Sequence, residues 1–181
     1  MKKMELREKY KDIRSKIEDK DRLSFIITEK VINKEIYVKS NVIAIYVSMS
    51  DEVDTTDIIM HALKSGKTVC VPIIKDTIMN FYKIDSFEEL VNKNNIGVKE
   101  PVKNINKLIN PSEIDLIIVP GICFDLENSR VGFGKGYYDR YLNNEDITCF
   151  KLGICYFEQL ILDDLIDFDV FDIKMDMVIC N

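Results

Sequence analysis

The amino-acid sequence predicts an α/β fold with a mostly parallel sheet. Segments with the apolar pattern of strands alternate along the chain with helix-like segments, and this alternation is typical of parallel sheets covered by helices. Residues 41–47 and 117–119 are continuously apolar, as in strands buried on both faces. No repeat, low-complexity tract or change of composition divides the chain, so residues 1–181 are expected to form one domain.

The first third of the chain is predicted to contain three helices and one strand. In residues 2–18 and 20–34 apolar residues recur every three to four positions, which is the pattern of an amphipathic helix. The apolar run 41–47 predicts a buried strand. A polar loop follows it, and the next segment, 55–65, is predicted to be a helix that ends at Gly66.

The middle of the chain is predicted to hold two strands and a short helix. Residues 68–72 form an apolar run, whereas residues 77–84 alternate enough to indicate an antiparallel or edge strand. A short helix is predicted over residues 86–91. Residues 92–111 are rich in Asn, Lys, Gly and Pro and are expected to be a surface excursion.

The last third is predicted as strand, loop, helix, strand and strand. The run 117–119 ends at a Pro-Gly pair, and a polar loop leads from there to a helix that begins at residue 137. Residues 148–155 predict another strand, in which Gly153 would allow a close approach by a neighbouring group. A final strand is predicted at the C-terminal end.

Composition and charge narrow the possible functions. The net charge of −6 argues against general nucleic-acid binding, which favours a basic surface. The chain starts with charged, helix-like sequence, and no run approaches the about 18 apolar residues of a membrane span, so a cytoplasmic protein without a membrane partner is expected. The five cysteines include no C-x-x-C pair, which favours reduced core thiols over zinc or disulfides.

Three glycines at alternate positions, Gly132, Gly134 and Gly136, precede the helix predicted at residue 137. Glycine permits a positive φ and lets a ligand approach the backbone. A glycine-rich loop that enters a helix also collects unpaired N–H groups, which suits a phosphate. The spacing matches neither the dinucleotide motif nor the Walker motif, so the glycines alone are equally compatible with a merely tight loop.

Neighbouring side chains favour a phosphate at this loop. Lys135 lies inside it, and Arg130 and Arg140 flank it, so cations surround the possible anion site. Asp139, one turn into the predicted helix, could hold a magnesium ion beside a phosphate chain. Tyr137 and Tyr138 offer flat faces and hydroxyls to a ring-shaped ligand.

Two segments of this region together resemble a family signature. They read Val-Pro-Gly-Ile-Cys-Phe-Asp at residues 119–125 and Arg-Val-Gly-Phe-Gly-Lys-Gly-Tyr-Tyr-Asp-Arg at residues 130–140. In these two segments the chain resembles the 5-formyltetrahydrofolate cyclo-ligase family, also called methenyltetrahydrofolate synthetase. Residues 46–55, Tyr-Val-Ser-Met-Ser-Asp-Glu-Val-Asp-Thr, resemble its second motif, and residues 96–101 resemble, less specifically, the loop before the signature strand.

The resemblance implies a fold, a reaction and a set of partners. The implied architecture has three αβα layers and is NagB/RpiA/CoA-transferase-like. The implied reaction, in folate one-carbon metabolism, is the ATP- and Mg²⁺-dependent cyclisation of 5-formyltetrahydrofolate to 5,10-methenyltetrahydrofolate, with release of ADP and phosphate. The formyl oxygen cannot leave as oxide, so its phosphorylation solves the chemical problem. The partner is a small-molecule reduced folate, and a monomer or weak homo-oligomer is expected.

The resemblance also assigns roles to individual residues. The implied catalytic residues are Lys3, Arg7, Arg130 and Lys135. The implied ATP-binding residues are Lys3, Arg7, Arg130, Gly132, Phe133, Gly134, Lys135, Gly136, Tyr137 and Tyr138. The implied folate-binding residues are Val47, Glu52, Gly134, Lys135 and Tyr138. The implied magnesium ligands are Asp139 and Asp172. The residue before the second aspartate is Phe171, where many members of the family have histidine.

Two other functional classes stay open on the sequence. One is a non-catalytic nucleotide-binding regulatory protein that kept the fold and the glycine loop. The other is a sugar-phosphate isomerase or CoA-transferase relative, which would need its own base or glutamyl nucleophile. Glu52, in the polar loop after the strand at 41–47, is the candidate for such a group.

Overall fold

The computed structural model describes residues 2–92 and 99–181. Its helices are α1 (Lys3–Ser15), α2 (Lys20–Ile32), α3 (Glu35–Lys39), α4 (Thr56–Lys64) and α5 (Tyr137–Leu142). Its strands are β1 (Val42–Ile45), β2 (Thr68–Lys75), β3 (Ile78–Ile84), β4 (Leu90–Asn92), β5 (Lys99–Pro101), β6 (Leu116–Val119), β7 (Cys123–Asp125), β8 (Arg130–Val131), β9 (Phe150–Cys155), β10 (Leu160–Ile161) and β11 (Met177–Cys180). Residues 96–98 of the segment that resembles the pre-signature loop lie outside the described residues.

Within the described ranges, six strands form the central sheet in the order β11-β9-β6-β1-β2-β3. Neighbouring strands are parallel except β2 and β3, which are antiparallel. The two continuously apolar runs of the sequence become β1 and β6, which lie side by side inside the sheet. The predicted α/β class with a mostly parallel sheet is therefore confirmed, as is the antiparallel edge strand β3.

Helices cover both faces of this sheet because the strands alternate their apolar side chains. Ile43 and Ile45 of β1 pack in one buried cluster with residues of α2 and α4. Ala44, between them, packs in a second cluster with Tyr141 and Leu142 of α5. Helix α1 lies apart from both, against β7, β8 and β10, in a third cluster. This arrangement leaves α1 close to the loops that follow the central strands.

Two predictions about short segments were wrong. Residues 123–131, predicted as loop, contain the antiparallel hairpin β7–β8, which pairs through β7 with β10. Strands of two or three residues are too short to show a periodic pattern. The predicted helix at 86–91 is one 3₁₀ turn, Phe87–Glu89, followed by β4, and the side chain of Ser86 does not cap it.

The five cysteines, all in the described ranges, are free, and Cys123 is buried on β7. Burial raises the pKa of its thiol to about 12, so the reactive thiolate is disfavoured at neutral pH. No helix of the described part of the chain has the length and apolar character to cross a membrane.

Candidate active site

A cavity of about 850 Å³ opens beside the residues that follow β1 and β6. It is the place where an open α/β sheet is expected to bind ligands, beyond the carboxyl ends of its strands. The cavity is lined by every residue to which the resemblance assigned a role: Lys3, Arg7, Val47, Glu52, Arg130, Gly132, Phe133, Gly134, Lys135, Gly136, Tyr137, Tyr138, Asp139 and Asp172. The structure thus brings these residues together in one cavity, whereas their roles in binding ligands stay predictions.

The glycine loop takes the conformation that its sequence predicted at two of its three glycines. Gly134 and Gly136 have positive φ values of 94° and 65°. Gly132 is needed for a different reason, because a Cβ atom there would lie 3.0 Å from Nη1 of Arg130. The Gly132 carbonyl also accepts a hydrogen bond of 2.9 Å from Nε of Arg7. The Arg7 guanidinium thus holds the loop by a hydrogen bond, and the Arg130 guanidinium leaves no room for a side chain at Gly132.

Helix α1 sends three basic side chains to three different loops of the cavity wall. Lys3 contacts the Asp172 carboxylate, Arg7 bonds to the glycine loop, and Arg14 pairs with Asp51 after β1. Residues spaced by four and seven positions share one helix face. Lys3 and Arg7 were predicted from the sequence and Arg14 was not, although its spacing of two helical turns from Arg7 pointed to the same face.

Each predicted magnesium ligand is paired with a predicted phosphate ligand. Oδ1 of Asp139 accepts a 2.7 Å hydrogen bond from Nη2 of Arg130, whose side chain is 3% exposed. Asp172 pairs in the same way with Lys3. Within the described residues, no group of three or more His, Cys, Asp or Glu side chains is placed to hold a metal. Two carboxylates in one cavity nevertheless fit Mg²⁺, which is commonly bound by one or two carboxylates together with substrate phosphates.

Glu52 is a buried carboxylate in the wall of the cavity. Its Oε2 accepts a 2.9 Å hydrogen bond from the Met49 amide, and its Oε1 lies 4.0 Å from Nη1 of Arg14. Burial raises the Glu52 pKa to about 7, against the opposing effects of the Met49 N–H group and of Arg14. The carboxyl group therefore changes charge near neutral pH.

This pKa predicts a pH-dependent stability that Glu52→Gln should remove. The folded-state pKa of about 7 exceeds the ordinary 4.5, so the free energy of unfolding of the wild type should fall as pH rises between these values. The variant should lack this fall and gain several degrees in Tm, relative to the wild type, between about pH 5 and pH 8.

Thermal unfolding at a series of pH values measures the effect. Glu145→Gln is the matched control, because Glu145 is exposed and outside the cavity lining. Parallel Tm curves for the wild type and Glu52→Gln would show that Glu52 has no raised pKa in the folded protein.

Aromatic side chains form much of the remaining wall. The Tyr138 ring lies 5.7 Å from the Arg130 guanidinium, and its buried hydroxyl has no hydrogen-bond partner among the described residues. Phe133 lies over Arg14 at 5.3 Å. Phe171 is 73% exposed at the cavity. These rings offer faces for a flat ligand.

Some lining residues were not found from the sequence. Pro72, Ile74 and Met79 come from β2 and β3, where Ile74 pairs with Met79 across the strands. Their only signals were the apolar run of the first strand and the alternation of the second, which any edge hairpin could share. Arg140, by contrast, was predicted from the sequence as a cation beside the glycine loop, and its guanidinium donates to the Lys135 and Thr77 carbonyls.

Comparison with known proteins identifies the family. The sequence model of the 5-formyltetrahydrofolate cyclo-ligase family matches residues 1–181. The chain belongs to this family. The mouse (Mus musculus) 5-formyltetrahydrofolate cyclo-ligase is 32% identical over 172 residues, which are 90% of this chain and 84% of the mouse protein.

Solved structures of cyclo-ligase relatives have the same fold. The Aquifex aeolicus 5,10-methenyltetrahydrofolate synthetase gives a TM-score of 0.83 at 33% identity, over 98% of this chain and 89% of that one. The Mycoplasma pneumoniae 5,10-methenyltetrahydrofolate synthetase gives 0.78 at 28% identity, over 99% of both. The family resemblance, the fold class and the prediction of an enzyme of the ligase class are thereby confirmed for this cyclo-ligase family member.

Proposed function

We propose that this chain converts 5-formyltetrahydrofolate and ATP into 5,10-methenyltetrahydrofolate, ADP and phosphate, in a Mg²⁺-dependent reaction. The observation that carries the proposal is the single cavity that collects α1, the loop after β1, the glycine loop and Asp172. The proposal includes one domain over residues 1–181, a cytoplasmic location, and a monomeric or weakly homo-oligomeric state with small molecules as the only ligands.

The reaction proceeds through a phosphorylated formyl oxygen. The formyl oxygen attacks the γ-phosphorus of ATP, and the bond from that phosphorus to the β,γ-bridging oxygen breaks, releasing ADP. N10 of the folate then attacks the formyl carbon, phosphate leaves with the original formyl oxygen, and N10 loses its proton. No side chain forms a covalent bond in this sequence. The protein positions two substrates and neutralises charge, as in other phosphoryl transfers.

The phosphates would lie at the glycine loop. Backbone N–H groups of residues 132–136 and the side chain of Lys135 would surround them, with Arg7 already fixed to the loop through Gly132. Lys3 and Arg130 carry two further positive charges of the cavity wall. Each of the two is paired with a carboxylate that also lines the cavity, Asp172 or Asp139. The pairing keeps both positive charges at the cavity wall.

Asp139 and Asp172 would hold the magnesium ion together with phosphate oxygens. When bound, Mg²⁺ supplies further neutralisation of the charge on the transferring phosphoryl group. The two carboxylates come from α5 and from the loop before β11, so they approach the cavity from different elements.

The folate ring would lie between Glu52 and the aromatic wall. An ionised carboxylate accepts two N–H bonds, as the amino-pyrimidine edge of a pterin requires. Val47 lines the cavity in the same loop, and Tyr138 offers the ring face on the opposite element α5. Burial of Glu52 strengthens such hydrogen bonds, because the competing water is excluded.

The test is the absorbance of the methenyl product near the ultraviolet–visible boundary. Purified chain, 5-formyltetrahydrofolate and Mg²⁺ should give product only when ATP is present. ATP binding without turnover would favour the regulatory class, and product without ATP would contradict the phosphorylated intermediate. Turnover of a sugar phosphate or a CoA thioester in place of folate would favour the third class.

A further inference from the structure

Arg14 is a buried arginine that the reaction described above does not use. Its side chain is 2% exposed, and Nη2 lies 2.5 Å from Oδ2 of Asp51. The Arg14 guanidinium also lies next to two residues of the cavity wall. Its Nη1 is 4.0 Å from Oε1 of Glu52, and its central carbon is 5.3 Å from the Phe133 ring centroid. Nε and Nη1 have no hydrogen-bond partner among residues 2–92 and 99–181.

Such a group is not explained by stability. Removing a guanidinium from water has an effective penalty of several kcal/mol, which good geometry and satisfied donors must offset. Arg14 has one short ion pair, to a carboxylate that is 40% exposed, and two orphaned donors. An apolar residue of similar volume would avoid that penalty. An apolar residue could not supply a positive charge between the Glu52 loop and the glycine loop.

We propose that Arg14 is a positioning residue of the folate site, which holds the Glu52 carboxylate ionised and aimed into the cavity while Phe133 of the glycine loop rests on the same guanidinium. This inference rests on the proposed function of Glu52 as the folate ligand. Arg14 would not touch the folate. Its orphaned Nη1 points to the oxygen of Glu52 that the Met49 amide leaves free.

The charges around Glu52 determine the sign of the expected effect. The charged groups are Arg14 of α1, Lys20 and Asp21 of α2, and Asp51 and Asp54 of its own loop. Arg14 lowers the Glu52 pKa and Asp51 raises it. The Tyr46, Tyr138 and Tyr156 hydroxyls also lie near Glu52, the last as a donor to its backbone carbonyl, but burial raises the pKa of all three, so they stay neutral.

The ion pair therefore offers two variants with opposite predictions. Arg14→Met removes the positive charge of the 2.5 Å ion pair, and Asp51→Asn removes its negative charge. Calorimetric titration with 5-formyltetrahydrofolate, without ATP, measures affinity against pH. In Arg14→Met the acid limb of this profile, where protonation of Glu52 weakens binding, should move up by about one pH unit, with an about fivefold loss of affinity at pH 7. In Asp51→Asn the acid limb should move to lower pH, and in Arg14→Lys it should stay close to that of the wild type.

Further variants make each outcome decisive. Glu52→Gln should abolish the limb and so assign it to Glu52. If Arg14→Met does not fold, as judged by its thermal transition, Arg14→Gln removes the same charge with a polar side chain. Equal losses of affinity in the Arg14 and Asp51 variants, with the acid limb at the same pH as in the wild type, would show that the role of Arg14 is only structural. A wild type that binds no folate at any pH would instead refute the proposed function.

Discussion

Asp139→Asn is expected to reduce turnover about tenfold to a thousandfold, the scale of a lost electrostatic stabiliser. Asparagine keeps the size of the side chain and an oxygen that can accept the 2.7 Å hydrogen bond from Arg130. Only the negative charge is removed, so the buried guanidinium keeps a partner while the predicted magnesium site loses one of its two carboxylates. Turnover at saturating ATP and folate, measured across a magnesium titration, reports this loss.

The magnesium titration separates two roles of Asp139. If Asp139 is a ligand of the metal, its loss should raise the magnesium concentration required for half-maximal turnover. If Asp139 only orients Arg130, its loss should lower turnover by the same factor at all magnesium concentrations. Asp146→Asn is the matched control, since Asp146 is exposed and does not line the cavity. Unchanged turnover of Asp139→Asn at saturating magnesium, together with an unchanged magnesium concentration for half-maximal turnover, would remove Asp139 from the metal role.

The parts of the site that could be predicted are those that are local in sequence. The glycine loop places its anion-binding features within a few residues, so the glycines together with the neighbouring cations already favoured a phosphate there. The positive φ values of Gly134 and Gly136 follow from the same local requirement. The long apolar runs of β1 and β6 were equally local signals, because strands buried on both faces leave no polar positions.

The parts that could not be predicted depend on contacts between distant segments. Lys3 and Asp172 are separated by 169 positions, and only the family resemblance connected them. The burial of Arg14 depends on how α1 docks, since the same residue on a solvated helix would have the same sequence context. The hairpin β7–β8 is organised by Asp125, whose carboxylate accepts from the Glu127, Ser129 and Ile166 amides. A lone aspartate in a polar stretch gives no indication of such a role.

Gly153→Val is expected to lower the free energy of unfolding by about 3 kcal/mol or more, through overpacking. Gly153 lies on β9, inside the central sheet, where its backbone pairs with Val119 and Val178. A Cβ atom there would lie 2.6 Å from Cε1 of the Phe124 ring, which is fully buried. Gly121 meets the same ring from another side, with a corresponding distance of 2.5 Å, so the ring cannot move away. Urea unfolding measures the difference.

A double-mutant cycle with Phe124→Leu identifies the cause. Leucine removes the ring atoms that the valine would strike, so the two substitutions together should be less destabilising than the sum of each alone, by about 1 kcal/mol or more. Gly66→Ala is the control for a glycine without such a neighbour: no atom lies within 4 Å of its Cβ position, and its φ of 75° should cost only about 1 kcal/mol. Additive effects of Gly153→Val and Phe124→Leu would contradict the ring contact. Phe124 also pairs across the hairpin with Arg130, the partner of Asp139, so a displaced ring would be felt next to the cavity.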